Sequence, residues 1–325
     1  MKVKEIFNLT NQAAFDKVAL EIFRNQAVNN DTYKRFLHLI GVEPFKVKSV
    51  KNIPFLPIEF FKTHDIINSK DPIQKTFLSS GTTGMTQSKH MVTELGIYEE
   101  SFIRGFEQFY GTVKDFTILA LLPGYLEREG SSLIYMVDHM IEKSGSKHSG
   151  FYLNNLVELS EKLEELDAKG EKVLLIGVSY ALLDLIEKRK FKLKNTIVME
   201  TGGMKGRRKE LVRQELHNLL SEGLGVTQIH SEYGMTELLS QAYSKGGGIF
   251  ETPPWMKVFT RDPEDPFNML PTGKSGGINI IDLANMNSCS FIATQDLGRS
   301  IDEDHFEILG RFDHSDIRGC NLMVV

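Results

Sequence analysis

Short apolar runs alternate with amphipathic stretches between residues 116 and 230, and this alternation constrains the fold more than any other feature. The apolar runs are FTILALL, KVLLIGV, NTIVMET and VTQIH. Segments with helical spacing separate them, at residues 131–142, at about 154–168, from Tyr180 onward and at 207–220. Strands that alternate with helices are typical of a sheet built with crossover connections. The sequence therefore predicts an α/β fold with helices flanking mixed sheets.

The regions on either side of this core have different patterns. Residues 1–45 carry two segments with amphipathic helical spacing, and the segment IPFLPIEFF mixes proline with large apolar side chains, which favours extended chain. Glycine, proline and short strands dominate from about residue 246 to 309, which predicts a small β-rich subdomain. We expect a main domain over residues 1–309 and a hinge and tail over 310–325.

Composition and charge exclude several classes of function. The formal net charge is −5, whereas binding to nucleic acid normally requires a concentrated basic surface. The segment FTILALLP is too short to span a bilayer, and MKVKEIFNLTNQ lacks the apolar core of a signal peptide. Two cysteines form no disulfide framework. We expect a cytoplasmic protein that neither binds nucleic acid nor spans a membrane.

The segment SSGTTGMTQSK, residues 79–89, is rich in glycine and hydroxyl side chains. Its backbone N–H groups and the hydroxyls of Ser79, Ser80, Thr82 and Thr83 suit a ring of phosphate oxygens. A tight surface turn has the same composition, so the residues alone leave both interpretations open. The spacings of the P-loop and of the dinucleotide-binding GxGxxG motif are both missing from the chain.

The order of residues in this loop resembles the phosphate-binding signature of the adenylate-forming enzymes. Further segments resemble elements of that superfamily in the same chain order, namely TGG at 201–203, EYGMTE at 232–237, ATQDLGR at 293–299 and GRFD at 310–313. The resemblance implies a site for ATP and Mg²⁺. The residues that it implies for the nucleotide are Ser79, Ser80, Gly81, Thr82, Thr83, Gly84, Lys89, Gly202, Gly203, Tyr233, Gly234, Met235, Thr236, Asp296 and Arg311.

Individual roles follow from the same resemblance. Tyr233 would stack on adenine, Asp296 would bind the ribose hydroxyls, and Arg311 would reach the nucleotide. Thr236 would contact phosphate and Glu237 would help to hold Mg²⁺, both as catalytic residues. Each of these side chains also has an ordinary structural alternative, such as a turn former or a helix-terminal charge.

The C-terminal segment resembles that of the acyl-protein synthetases of the LuxE type. The chain ends twelve residues after Asp313, where other adenylate-forming enzymes carry a further domain, and DIRGCNLMVV places Cys320 near its end. The resemblance implies that Cys320 accepts an acyl group and delivers it to a partner reductase or acyltransferase. A thiolate displaces AMP from an acyl-adenylate readily because AMP is a good leaving group.

The predicted activity is therefore that of an acid-thiol ligase. It would adenylate a fatty or similar carboxylic acid with ATP and transfer the acyl group to its own Cys320. The alternatives are an acyl- or aryl-CoA ligase of the phenylacetate-CoA ligase type and an inactive nucleotide-binding scaffold. For Cys289, which lies between two serines in a predicted strand, a buried structural role is expected.

Overall fold

A mixed sheet with flanking helices forms the core of the protein. The computed structural model describes residues 3–80, 86–123, 130–153, 155–202, 208 and 211–312. Its helices are α1 (Val3–Ile6), α2 (Gln12–Asn29), α3 (Asp31–Leu39), α4 (Phe60–Thr63), α5 (Leu95–Tyr110), α6 (Ser132–Ser144), α7 (Leu156–Ala168), α8 (Ser179–Lys188) and α9 (Arg213–Leu224). Its strands are β1 (Leu56–Pro57), β2 (Lys75–Leu78), β3 (Lys89–Val92), β4 (Thr117–Leu121), β5 (Gly150–Phe151), β6 (Val173–Val178), β7 (Thr196–Thr201), β8 (His230–Tyr233), β9 (Ala242–Ser244), β10 (Ile249–Glu251), β11 (Met256–Arg261), β12 (Gly276–Asp282), β13 (Phe291–Ser300) and β14 (His305–Arg311).

The large sheet has a parallel half and an antiparallel half. Its strand order is β11-β12-β13-β14-β10-β9-β8-β7-β6-β4-β5, and β1 pairs with β13 off this path. Strands β5, β4, β6, β7 and β8 run parallel, and the pairs from β8 through β9, β10, β14, β13 and β12 to β11 are antiparallel. The predicted α/β fold class is confirmed, and the β-rich region continues the same sheet. The predicted domain boundaries stay a prediction.

The burial of the parallel strands between helices explains their continuous apolar sequence runs. Strands β4 and β6 are buried at every position, which is the pattern expected where helices cover both faces of a parallel sheet. Helix α6 contacts β4, helix α7 contacts β6, and helix α8 contacts β6 and β7. Ser131 caps α6 by accepting a hydrogen bond from the backbone N–H of Ile134 at 3.3 Å. The apolar runs and the amphipathic segments of the sequence thus alternate as predicted.

Three local expectations differ from the structure. Strand β8 begins at His230 instead of including residues 226–229, because Gly225 ends α9 in the left-handed conformation and Val226 still bonds back to that helix. Helix α9 starts at Arg213, because Val212 has extended backbone angles. Within IPFLPIEFF, the extended part pairs with β13, but the last residues begin the one-turn helix α4.

The N-terminal helices are tied to the far end of the sheet by buried amides. The side chain of Gln26 donates to the carbonyl of Met286 at 3.0 Å and accepts from the backbone N–H of Ser290 at 3.0 Å. Asn30 caps α3 and donates to the carbonyl of Ser288 at 3.0 Å. These bonds satisfy polar groups that would be costly to bury alone. The first helices therefore stabilise the segment between β12 and β13.

Among the described helices, none has both the length and the apolar character that crossing a bilayer requires.

Helices α8 and α9 approach so closely that a glycine is required between them. A Cβ atom at Gly223 would lie 2.6 Å from the Cβ of Ile186. We expect Gly223→Ala to lower the free energy of unfolding by about 1–3 kcal/mol, because overpacking forces the helices apart. Urea unfolding measures this change. The matched control is Gly96→Ala in α5, where a Cβ meets nothing within 4 Å, and there we expect no loss. Equal losses in both variants would contradict the packing argument.

Candidate active site

The base of the hydroxyl-rich loop is a hydrogen-bonded hairpin. Strands β2 and β3 pair so that Phe77 lies opposite His90 and Leu78 opposite Lys89. Beyond them, the N–H of Ser79 donates to the carbonyl of Ser88 at 3.0 Å, and the N–H of Ser88 donates to the Ser79 hydroxyl at 2.8 Å. Ser79 is half-buried and Ser80 is exposed. The predicted site residues Gly81, Thr82, Thr83 and Gly84 lie outside the described residues.

His90 links this hairpin to the segment that follows β8. Its Nδ1 donates to the carbonyl of Thr236 at 2.7 Å, and its Nε2 lies 2.9 Å from Oδ1 of Asn285. The ring is fully buried and packs edge-on to Phe61. Burial lowers the pKa of His90 to about 4, and the two oxygen atoms oppose this shift only in part. The loop and the EYGMTE segment are therefore held at a fixed separation.

The segment after Tyr233 is anchored by the end of strand β12. Oδ2 of Asp282 accepts from the backbone N–H groups of Leu239 and Ser240 at 2.8 and 3.1 Å, and Oδ1 accepts from the Ser240 hydroxyl at 2.6 Å. Asn285 donates to the carbonyl of Glu237 at 2.7 Å. Burial raises the pKa of Asp282 to about 6, and these donors oppose the rise. The carboxylate thus holds a turn that has no strand pairing of its own.

Glu237 lies where the loop base and the anchored segment meet. Its side chain is buried, with 5% exposure, and accepts a hydrogen bond from the hydroxyl of Ser88. Burial raises the pKa of Glu237, whereas the Ser88 bond and the positive charges of Arg311 and Lys62 lower it. Among the described residues, no group of three acidic, histidine or cysteine side chains could enclose a metal ion. A single carboxylate nevertheless suits Mg²⁺, which usually binds through one or two carboxylates together with substrate phosphates.

Tyr233, Asp296 and Arg311 form a contiguous group on strands β8, β13 and β14. The Tyr233 hydroxyl donates to Oδ2 of Asp296 at 2.6 Å, and Nε of Arg311 lies 3.4 Å from Oδ1. Asp296 and Arg311 are register partners across the strand pair. Burial raises the pKa of Asp296, and Tyr233 and Arg311 oppose that rise. The tyrosine ring packs against Phe250 and Phe306 at centroid distances of 5.7 and 5.3 Å.

The remaining predicted residues are placed as follows. Gly202 follows β7 with a φ of +66°, which glycine adopts without strain, and its carbonyl accepts from the Ser179 hydroxyl at 2.7 Å. Gly234 is exposed, and Met235 and Thr236 are half-buried in the anchored segment. Lys89 is exposed and lies 3.6 Å from Asp65, and the alternation along β3 directs it away from Ser88 and His90. Gly203 and Cys320 lie outside the described residues.

A sequence model for the family "Acyl-protein synthetase, LuxE" matches residues 6–325. The chain belongs to this family. A search of curated proteins finds no match to this chain. The LuxE match extends over the loop, the anchored segment and the C-terminal segment, so it includes every residue singled out above.

Solved structures with a similar fold include MatB and a 2-hydroxyisobutyryl-CoA ligase. ATP-bound MatB from Rhodopseudomonas palustris has 19% sequence identity and a TM-score of 0.56, with coverage of 75% of this chain and 49% of that chain. A 2-hydroxyisobutyryl-CoA ligase in an open conformation with 2-HIB-AMP and CoA has 13% identity and a TM-score of 0.66, covering 93% and 70% of the two chains. The LuxE chain therefore spans about half the length of MatB. At these identities the similarity establishes the fold alone.

Two residues that hold this site together were not singled out from the sequence. His90 is a lone histidine in a strand, and Asp282 is a lone acid at a strand end, so neither forms a motif. One signal was present for Asp282. An acidic residue that ends the apolar run GGINIID is poorly suited to the buried end of a strand unless several donors meet it.

The low pKa of His90 predicts a specific pH dependence of stability. Between pH 6.5 and about 4, the unfolded chain binds a proton at this residue while the folded chain does not. We therefore expect His90 to contribute a loss of stability as the pH falls through this window, at about 1.4 kcal/mol per pH unit. Comparing urea unfolding of the wild type and His90→Gln across this range isolates its contribution.

The control for this measurement is His305→Gln, which removes a half-buried histidine at the start of β14. We expect the slope of stability against pH to become less steep only in His90→Gln. A steeper slope in His90→Gln would mean that the oxygen atoms of Thr236 and Asn285 hold a protonated ring in the wild type.

Proposed function

We propose that this LuxE protein activates a carboxylic acid with ATP and collects the acyl group on Cys320. In the first step a carboxylate oxygen of the acid attacks the α-phosphorus of ATP, and pyrophosphate leaves. In the second step the thiolate of Cys320 attacks the carbonyl carbon of the acyl-adenylate, and AMP leaves. The product is a thioester on the protein, available to a reductase-like or acyltransferase partner.

One observation carries this proposal: the segments that resemble the adenylate-forming signature converge. Ser79 and Ser88 close the loop, Ser88 bonds Glu237, and His90 bonds Thr236. Residues from 79 to 311 in the sequence are thereby brought to one cluster. A surface turn would have no reason to be tied to a distant buried carboxylate, so the convergence favours a binding loop over the structural alternative.

Asp296 retains the hydrogen-bonding capacity that a ribose requires. A carboxylate offers about four lone-pair sites, and Tyr233 and Arg311 approach one oxygen atom each. Sites on both oxygens therefore remain for the two ribose hydroxyls. The ring of Tyr233 is braced by two phenylalanines, which gives an adenine base a rigid surface on which to stack.

Glu237 and the hydroxyl-rich loop would bind the phosphate end of the nucleotide. Hydroxyl and backbone N–H groups of the loop would bind phosphate oxygens, and Thr236 lies at the adjacent corner. Glu237 would hold Mg²⁺, which when bound neutralises charge on the phosphates as pyrophosphate departs. The cations near Glu237, Arg311 and Lys62, add positive charge to the same region.

The role of Asp296 predicts a defect specific to the nucleotide. We expect Asp296→Asn to raise the KM for ATP at least about tenfold, because the hydrogen bonds that the ribose donates to a charged acceptor are lost. The KM for the acid should change little. ATP–pyrophosphate exchange measured against both concentrations tests this, with Asp138→Asn on the exposed face of α6 as the control. A rise confined to the KM for the acid would place Asp296 elsewhere in the reaction.

The role of Cys320 predicts covalent labelling of one residue. With radiolabelled acid, ATP and Mg²⁺, we expect a protein-bound label that hydroxylamine removes, because it cleaves thioesters. Cys320→Ser should abolish the label and leave ATP–pyrophosphate exchange intact. Cys289→Ala is the control, since this thiol is buried, donates to the carbonyl of Phe291 and has its pKa raised to about 12 by burial. Label that persists in Cys320→Ser would refute the acceptor role.

A second candidate acceptor is the thiol of coenzyme A. The similarity of the fold to 2-hydroxyisobutyryl-CoA ligase, solved with CoA, favours testing it. Adding coenzyme A to the labelling reaction separates the two functions, because a CoA ligase would release labelled acyl-CoA whether or not Cys320 is present. Exchange that fails with every acid would instead favour an inactive nucleotide-binding scaffold.

A further inference from the structure

A polar cluster made of Thr201, Glu232 and Gln241, called the recess below, lies on the face of β8 and β9 opposite to Tyr233. Side chains alternate along a strand, so Glu232 points away from the side on which Tyr233 meets Asp296. Glu232 is the register partner of Tyr243 on β9, and Gln241 precedes β9 on the same face as Tyr243. The rings of Phe106, Phe109 and Tyr110 pack against Tyr243, so helix α5 covers this face. The polar groups are therefore enclosed between a helix and the sheet.

Glu232 supplies a carboxyl group to the recess. Its Oε2 accepts a hydrogen bond from the hydroxyl of Thr201, the last residue of β7, at 2.5 Å. Burial raises the pKa of Glu232 to about 7, and the neighbouring charge of Glu200 adds to the rise. The carboxyl group of Glu200 itself lies 3.6 Å from Nε2 of His217. Taken as a whole, the residue Glu232 is half-buried.

Gln241 supplies an independent sign that a ligand is missing. The residue is only 5% exposed, and its Oε1 is buried without a hydrogen-bond partner among the described residues. Buried acceptors in native proteins are nearly always paired, so the donor for this atom lies outside the described residues. This amide oxygen can only accept, which means that the partner is a donor.

Gly234 lies beside both of these groups, where a Cβ atom would collide with the Glu232 carboxyl group. A Cβ atom at this position would lie 2.5 Å from Oε1 of Glu232 and 3.4 Å from Cγ of Gln241. The glycine of EYGMTE therefore borders both side chains. Tyr98 of α5 lies near Glu232, but its hydroxyl already donates to the carbonyl of Ser132 at 3.0 Å. The Tyr98 hydroxyl is therefore already engaged and does not serve the acceptors of the recess.

The position of the recess connects it with the candidate active site. Thr201 and Glu232 lie at the carboxyl ends of the parallel strands β7 and β8. Ligands of α/β sheets bind outside the carboxyl ends of the strands. Glu232 is followed directly by Tyr233, and Thr201 is followed directly by Gly202, so an acid activated at this edge extends toward the recess.

We propose that Glu232, Gln241 and Thr201 bind a hydrogen-bond donor, a hydroxyl or an ammonium group, on the acid that this protein activates. The inference rests on the proposed function and narrows its substrate class. A simple fatty acid would leave Gln241 unpaired and would place methylene groups against a carboxyl group. A polar acid that carries a donor on its chain satisfies both acceptors.

Direct binding tests this substrate class without requiring turnover. Isothermal titration of the full chain would use matched sets built on butanoic and decanoic acid: the parent acid, its α- and β-hydroxy derivatives, and its α- and β-amino derivatives. Each set is titrated with and without an ATP analogue whose α–β linkage resists cleavage. We expect at least one derivative to bind about tenfold or more tightly than its parent, because it pairs acceptors that the parent leaves unpaired.

Two variants assign the preference to the recess. Gln241→Met keeps the length of the side chain without its acceptor, and we expect it to reduce the preference about tenfold. Glu232→Gln removes the negative charge, so it should weaken an amino derivative strongly and a hydroxy derivative less, which distinguishes the two donors. Gln228→Met, at an exposed glutamine before β8, is the matched control and should leave the preference unchanged.

The inference is overturned if parent acids bind as tightly as every derivative, if no acid binds, or if the preference survives in both recess variants. A preferred derivative that binds but supports no ATP–pyrophosphate exchange would contradict the proposed function and still support the recess. Rapid exchange with an unsubstituted acid that binds as tightly as its derivatives would support the proposed function and contradict the role of the recess.

Discussion

The buried carboxylate of Asp282 is the interaction on which the candidate site depends. It accepts hydrogen bonds from Leu239, Ser240 and Ala284, and so satisfies backbone groups of two separate turns. An unpaired carboxylate at this depth would be strongly destabilising, and the same donors without it would be unsatisfied. Both turns therefore adopt one arrangement. Because one of them follows Thr236 and Glu237, the arrangement of Asp282 also sets the position of the catalytic candidates.

His90 and Asn285 extend this network to the hydroxyl-rich loop. Asn285 bonds both the carbonyl of Glu237 and the ring of His90, so the hairpin, the anchored turn and the end of β12 share one set of contacts. Networks of buried polar groups hold a single geometry when each member is paired. The site is thereby built from elements that are far apart in sequence. Its precision comes from side chains that do not themselves touch the proposed nucleotide.

Much of the fold follows from sequence patterns, because burial on both faces of β4 and β6 requires continuous apolar runs and the crossover helices require amphipathic ones. Strand β8 starts later than predicted because Gly225 is left-handed and Val226, just after it, still bonds back to helix α9. Periodicity does not detect such a helix end. Ordered motifs in the sequence point to Tyr233 and Asp296 as candidates, and their roles stay predictions. No motif points to His90, Asp282 or Gln241, since a single polar residue acquires its meaning only from the partners that folding brings to it.

The short parallel pairing of β1 with β13 has a consequence for how the protein is made. Leu56 meets Ile292, and the helix that carries Gln26 meets the segment just before that strand. On the ribosome, the first helices emerge long before the strand on which they pack has been translated. Until then their apolar faces lack their final cover, and closing such a large loop slows folding. Newly made chains should thus rely on chaperones, or on a temporary packing of the N-terminal helices, until β13 has emerged.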